Sequence, residues 1–361
     1  MLGNIDPHTI RKIAVLRANA LGDFIFIIPA LQALRETFPD SEIILLGKQW
    51  HADYVPRHVP AVDRVIVVPP YPGVGGPEDA PRESPELQAF FEAMQAERFD
   101  IALQMHGGGG NSNPFLSRLG ARMTVGLQAP DAPSLDISIP YVFYHLEVHR
   151  YLEVVRAIGA QTAHIVPRIT VLPSDRQTAQ TFLTNAGIQQ PYIVLHPGAS
   201  DPRRRWSAVE FAAVAARLID KGYAVVVSGV GDEAAVVAEV LKHEPRAVSA
   251  ANALTLDGFT GLLAEAVLVI SNDTGPLHLA AAVGTPTVGI YWFANMFTAA
   301  QINRSNHRPL ISFTIACPVC GAPSVDSYQT NKRYCEHNDS FVTDVPTARV
   351  LEEAESLLGN H

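Results

Sequence analysis

Apolar residues along this chain gather into short β-branched runs, and between them lie longer stretches with the apolar spacing of amphipathic helices. The runs read as strands buried on both faces, and the stretches as helices packed over them. Ile13 to Leu16, Glu42 to Leu46, Ile101 to Gln104, Tyr192 to Leu195, Tyr223 to Ser228, Val267 to Ile270 and Thr287 to Tyr291 are the clearest strands. Helices are expected from Leu21 to near Phe38-Pro39, from Ser207 to Asp220, from about Pro276 to Gly284 and from Val345 to Leu358. Strand and helix alternate in both halves, which makes the fold class α/β with parallel sheets. Ligands of such sheets bind beyond the carboxyl ends of the strands.

Length and charge narrow this picture. At 361 residues the chain exceeds the size at which one core usually keeps growing, so two domains are expected. Residues 168–174, with Pro173, read as the junction, giving domains 1–172 and 173–344 and a C-terminal helical segment 345–361. Acidic residues outnumber basic ones by 36 to 27, the net charge is −9, and no basic stripe is present. Nucleic acid is therefore not an expected partner. Apolar runs such as Phe24 to Leu31 fall well short of the roughly 20 residues that cross a bilayer. Met1 to Lys12 lacks the apolar core of a secretory signal. The expected location is cytoplasmic, at most peripheral to the inner membrane surface.

Three blocks carry polar residues just past a strand. The first is Leu21-Gly22-Asp23 after Leu16, where Asp23 falls in the first turn of a helix; an acidic residue there also gains from the helix dipole without doing chemistry. The second is His196-Pro197-Gly198-Ala199-Ser200, continuing through Arg203-Arg204-Arg205-Trp206, with a Gly229-Val230-Gly231-Asp232-Glu233 turn after the next strand. Three adjacent arginines usually mark a solvated loop. The third is Ser271-Asn272-Asp273-Thr274-Gly275-Pro276-Leu277-His278. Asp273 or Thr274 offers an N-cap oxygen, Pro276 suits a first helical turn, and Gly284 suits its end. Free N–H groups and the dipole at such an N-terminus favour an anion, and Gly275 lets a ligand approach the backbone.

Taken together and in this order, the blocks resemble those of glycosyltransferase family 9, the ADP-heptose:lipopolysaccharide heptosyltransferases. The resemblance implies a GT-B fold, two Rossmann-like domains facing across a cleft, with the acceptor on the first and the nucleotide-sugar on the second. For the C-terminal helix it brings the expectation of packing back on the N-terminal domain. It also implies an inverting transfer of a sugar, heptose from ADP-heptose in the prevailing case, to a lipopolysaccharide-core or related glycan acceptor, with no cofactor required. Asp23 matches the family's proposed catalytic base. Arg204 matches a cation that contacts the donor diphosphate, where lysine is common, and Ser200 matches a hydroxyl near the same phosphates. Glu233 matches a carboxylate at the nucleoside end, and Asp273, Thr274, Gly275 and His278 match the donor loop. A GT-B sugar-nucleotide epimerase would use the same phosphate grip without an acceptor, and a non-catalytic nucleotide-sugar-binding protein would keep the loop and lose the base.

Three segments stand outside these blocks. Pro69 to Glu86 holds six prolines and three glycines in eighteen residues, which argues for an irregular excursion. Beyond it, Gly107 to Gly110 and His106 follow the strand Ile101 to Gln104, where His106 is either an acceptor contact or a structural histidine. Cys317, Cys320 and Cys335 fall near His337 in one stretch. The Cys-Pro-Val-Cys spacing suits a knuckle, and Cys335 with His337 completes a tetrahedral set for a structural zinc or iron. The alternative is a group of ordinary reduced thiols.

Overall fold

The structure, a computed structural model, describes residues 6–323 and 335–359. It separates into two compact units, Met1–Arg168 and Ile169–His361. The division falls a few residues before the expected boundary at 172/173: the Ile169 N–H already donates to the Ala282 carbonyl of the second unit, at 3.0 Å.

In the first unit, β1 (Lys12–Leu16), β2 (Glu42–Gly47), β3 (Arg64–Val67), β4 (Ile101–Gln104), β5 (Met123–Gln128) and β6 (Ile137–Pro140) form one parallel sheet in the order β3-β2-β1-β4-β5-β6. In the second, β7 (Tyr192–His196), β8 (Ala224–Val227), β9 (Val248–Ser249), β10 (Leu268–Asn272), β11 (Thr287–Trp292) and β12 (His307–Ser312) repeat that order, β12-β11-β10-β7-β8-β9. Central strands are covered on both faces, so Ile13, Val15, Ile193, Val194 and Ile270 are all fully buried. This is why the runs are continuously apolar rather than alternating. Strand order reverses between β1 and β4 and again between β7 and β10, the crevice positions where open α/β sheets take their ligands. All three polar blocks leave one of these four strands.

Three local features differ from the sequence expectation. The first long helix is two, Leu21–Ile25 and Ile28–Thr37. Pro29 has no N–H to give the Ile25 carbonyl and its ring crowds that oxygen, so the first helix ends there. The Pro- and Gly-rich segment is not an excursion. Tyr71 and Val74 pair with each other, both are buried, and they join a core with Phe91 and Phe115. Lastly, the C-terminal helix, Thr347–Leu358, places Val350, Ala354 and Leu357 in the core of the second unit beside Trp206 and Leu218. Its apolar face is used there, where packing back on the N-terminal domain was the expectation; residues 360–361 of that segment lie outside the described residues. No helix among the described residues is long and apolar enough to cross a membrane.

Candidate active site

The second unit gathers its polar residues at the β7/β10 switch point. Parallel pairing sets Ser271 beside His196, so the loops leaving the two strands start level. Asn272 ties them together: its amide donates to the Pro197 carbonyl at 2.8 Å and its oxygen accepts the Trp206 N–H at 3.0 Å. Arg204 lies on the same junction. Its Nη1 donates to the main-chain carbonyl of Asp273 at 3.0 Å, and its Nη2 donates to Ser200 Oγ at 2.9 Å. The neighbouring arginines are engaged elsewhere, Arg203 with Asp201 and Arg205 with the Ala199 carbonyl.

The helix Gly275–Ala282 starts at this point with Thr274 as its N-cap residue, yet no side chain caps it. The cap expected from Asp273 or Thr274 is absent because Asp273 faces inward. Its Oδ1 accepts from His278 Nε2 at 3.1 Å and its Oδ2 from the Asn295 amide at 2.8 Å. Burial pushes that carboxyl up, but the His278 contact, Arg204 and Asn295 outweigh it and hold it below the ordinary range. The Gln301 amide donates to the other His278 nitrogen at 2.6 Å. The result is an ordered turn in which Pro276 has no N–H and the Leu277 N–H donates to the Thr274 carbonyl at 3.0 Å, so the amides of Thr274 and Gly275 are the ones left to an external acceptor, beside a guanidinium.

Glu233 sits across from Gly198. Its Oε2 accepts the Val230 N–H at 3.0 Å and lies 3.7 Å from His196 Nε2. Burial would raise it, but the His196 ring, the Val230 N–H and nearby Arg205 hold it down. A methyl at Gly198 would overlap the Glu233 carboxyl, so glycine there makes room for the side chain.

In the first unit Asp23 stands beyond β1, in the first turn of Leu21–Ile25. Its Oδ2 accepts the Ala20 N–H at 3.3 Å and its Oδ1 accepts from Arg17 Nη2 at 3.2 Å. Arg17 is 2% exposed and all five of its N–H groups are engaged. Nε donates to the Asp23 carbonyl, Nη1 to the Met105 carbonyl and to Tyr151 Oη, and Nη2 to Asp23 and to Glu147 Oε2. Tyr151 in turn donates to Glu147 Oε2 at 2.5 Å, and Arg150 pairs with Glu147 Oε1. Sequence reasoning missed Arg17, Glu147 and Tyr151, as it missed Asn295 and Gln301, because each is brought to its partner by the fold rather than by a motif.

His106, beyond β4, accepts the Ala18 N–H on Nδ1 at 3.1 Å and donates from Nε2 to the Gly73 carbonyl at 2.6 Å. Both nitrogens bond the frame, so the structural alternative describes this histidine. Burial, helped by Arg17, brings its pKa down to about 4. Apart from these groups, Cys317, Cys320, Cys335 and His337 converge: one ligand atom from each lies within 4.8 Å of the others. The N–H of Cys320 is the main cause that brings the Cys317 thiol down to about 7.

Residues 87–310 match the sequence profile of glycosyltransferase family 9 (heptosyltransferase). The chain belongs to glycosyltransferase family 9. Among relatives of this family 9 chain, the lipooligosaccharide heptosyltransferase 2 of Haemophilus influenzae is 33% identical over 35% of the chain and 39% of its own length. The lipopolysaccharide heptosyltransferase 2 of Escherichia coli K12 is 26% identical over 96% of the chain and 98% of its own length. A solved family 9 glycosyltransferase from Veillonella parvula superposes with a TM-score of 0.75 at 21% identity, covering 97% of this chain and 98% of that one. The likeness extends over both units and fixes the fold class as α/β, GT-B.

Proposed function

We propose that this family 9 glycosyltransferase inverts the anomeric centre as it moves a sugar, heptose from ADP-heptose, onto a lipopolysaccharide-core or related glycan acceptor. The observation that carries the reading is the uncapped N-terminus of Gly275–Ala282 with Arg204 bonded to the carbonyl just before it. Amide N–H groups, a helix dipole and a guanidinium at one switch point suit a diphosphate. The names of the relatives, heptosyltransferases acting on lipopolysaccharide, support the donor and the acceptor class.

In this reading Asp23 takes the proton of the acceptor hydroxyl as its oxygen bonds to the anomeric carbon. The bond from that carbon to the diphosphate oxygen breaks on the opposite face. Charge accumulating on the departing diphosphate meets Arg204, Ser200 and the amides at Thr274 and Gly275. Glu233 serves the nucleoside end, while Asp273 and His278 hold the donor turn in shape. This scheme draws its positive charge from arginine and a helix end, so no metal takes part in the transfer. The three thiols and one imidazole, soft donors already within tetrahedral reach of each other, fit a structural zinc or iron. Contact with the inner membrane surface would be transient, during acceptor binding.

The test is to incubate the protein with ADP-heptose, with and without a heptose-free lipopolysaccharide acceptor, and to determine the anomeric configuration of the product. Transfer with inversion, dependent on acceptor, is expected. Turnover of donor alone to an epimer would replace this reading with the epimerase, and a retained configuration would remove the direct displacement.

A further inference from the structure

The first unit sets Asp23 against a charge cluster whose other members, Arg17, Arg150 and Glu147, have no part in the proposed transfer. Arg17 and Arg150 face Asp23 and Glu147, two cations against two carboxylates. The two hydrogens of Arg17 Nη2 are divided between the acids, with Asp23 Oδ1 and Glu147 Oε2 both at 3.2 Å. Access is not divided. The side chain of Asp23 is 41% exposed, that of Glu147 17%, and that of Arg17 2%. Glu147 is held from every side, by Arg17, by the Tyr151 hydroxyl and by Arg150. Arg150 in turn donates to the carbonyls of Val142, Phe143 and His145, anchoring the segment before the helix Glu147–Arg156.

We propose that Glu147, with Tyr151 and through Arg17, is a positioning residue for Asp23 that also balances the charge beside it. The proposal rests on the reading of Asp23 as the base. A base gains a proton in the reaction, so its partner arginine loses a counter-charge at that moment. With Glu147 in place the Arg17 guanidinium remains paired and in position as Asp23 becomes neutral. Without Glu147, Arg17 would have Asp23 as its one carboxylate, which favours the ionised form and makes a poorer base. Tyr151 gives the cluster its geometry, accepting from Arg17 and donating to Glu147, so the guanidinium cannot rotate to face Asp23 alone.

Two variants keep the volume of the cluster, Glu147→Gln and Tyr151→Phe, measured against Asp23→Asn for transfer from ADP-heptose to the lipopolysaccharide acceptor over pH 4.5 to 9. Glu147→Gln is expected to lower kcat about tenfold with the donor KM unchanged, and to move the acidic limb of the pH profile to lower pH. Tyr151→Phe, which removes no charge, is expected to lower kcat with the limb in place; it stands as the second measurement if Glu147→Gln does not fold. Transfer retained by Asp23→Asn would overturn the base reading and this proposal with it. An inactive Asp23→Asn alongside wild-type kcat and pH profiles in the folded variants would overturn this proposal alone. So would losses that follow the melting temperature with the limb unmoved in Glu147→Gln, since those describe a purely structural cluster.

Discussion

The Arg204 guanidinium donates to the main-chain carbonyl of Asp273 at 3.0 Å, joining residues that are 69 positions apart. Both stand on loops that leave adjacent parallel strands, so one side chain fixes the spacing of the two loops. Arg204→Ala should therefore weaken ADP binding by about 10–100-fold, the loss of a charged hydrogen-bonding partner at about 1.5–3 kcal/mol. Adenosine, which brings no charge to the guanidinium, should bind almost as before. Titration calorimetry with both ligands checks this, and equal losses would mean that Arg204 does not meet the diphosphate.

Gly198 and Glu233 make a second pair. A side chain at 198 would run into the flexible end of Glu233, which can swing away at small cost to the fold. Gly198→Ala should leave the melting temperature within a few degrees while ADP affinity falls through the nucleoside end. An unchanged dissociation constant for adenosine would detach Glu233 from the ligand.

The neutral ring of His106 makes stability depend on pH. Its folded pKa, about 4, lies below the ordinary 6.5, chiefly because of burial. The unfolded chain therefore takes up a proton where the folded chain does not. The stabilisation is fully present above pH 6.5 and disappears as the pH falls from there toward 4. His51 and His307, both brought to about 3 by burial, add in the same direction. Urea midpoints at pH 7.5 and 5 should drop less in His106→Gln than in the parent protein, and identical drops would contradict the assignment.

Protein purified without chelator should carry about one equivalent of zinc or iron if Cys317, Cys320, Cys335 and His337 act together. Cys335→Ser should lose the metal and melt earlier while transfer at low temperature persists, because the proposed reacting groups are elsewhere. Metal analysis near zero would leave ordinary thiols.

The strands were legible because sheets covered on both faces demand continuous apolar runs, and β4 matches its expected limits residue for residue. The three polar blocks were legible because each lies within a few residues of its strand. What stayed hidden depends on long-range partners. Tyr71 and Val74 sit among prolines and glycines, and nothing local announces that Phe115 and Phe91 will cover them. Thr274 has the right chemistry for a cap, and Asp273 too, but Asp273 is drawn inward by Asn295, a residue on the far side of β11. Glu147 lies 130 positions from Arg17, too far for any spacing rule to connect them.

Arg17 has consequences for how this sequence can drift. Its five N–H groups reach two backbone carbonyls, one hydroxyl and two carboxylates from three different atoms in one plane. Lysine would keep the charge but gather three donors on a single nitrogen, leaving buried acceptors unserved. Changing Glu147 or Tyr151 alone takes one acceptor from the arginine and leaves it the others. Positions 17, 147 and 151 are therefore physically linked: a change at one takes a hydrogen-bonding partner from a buried group at another.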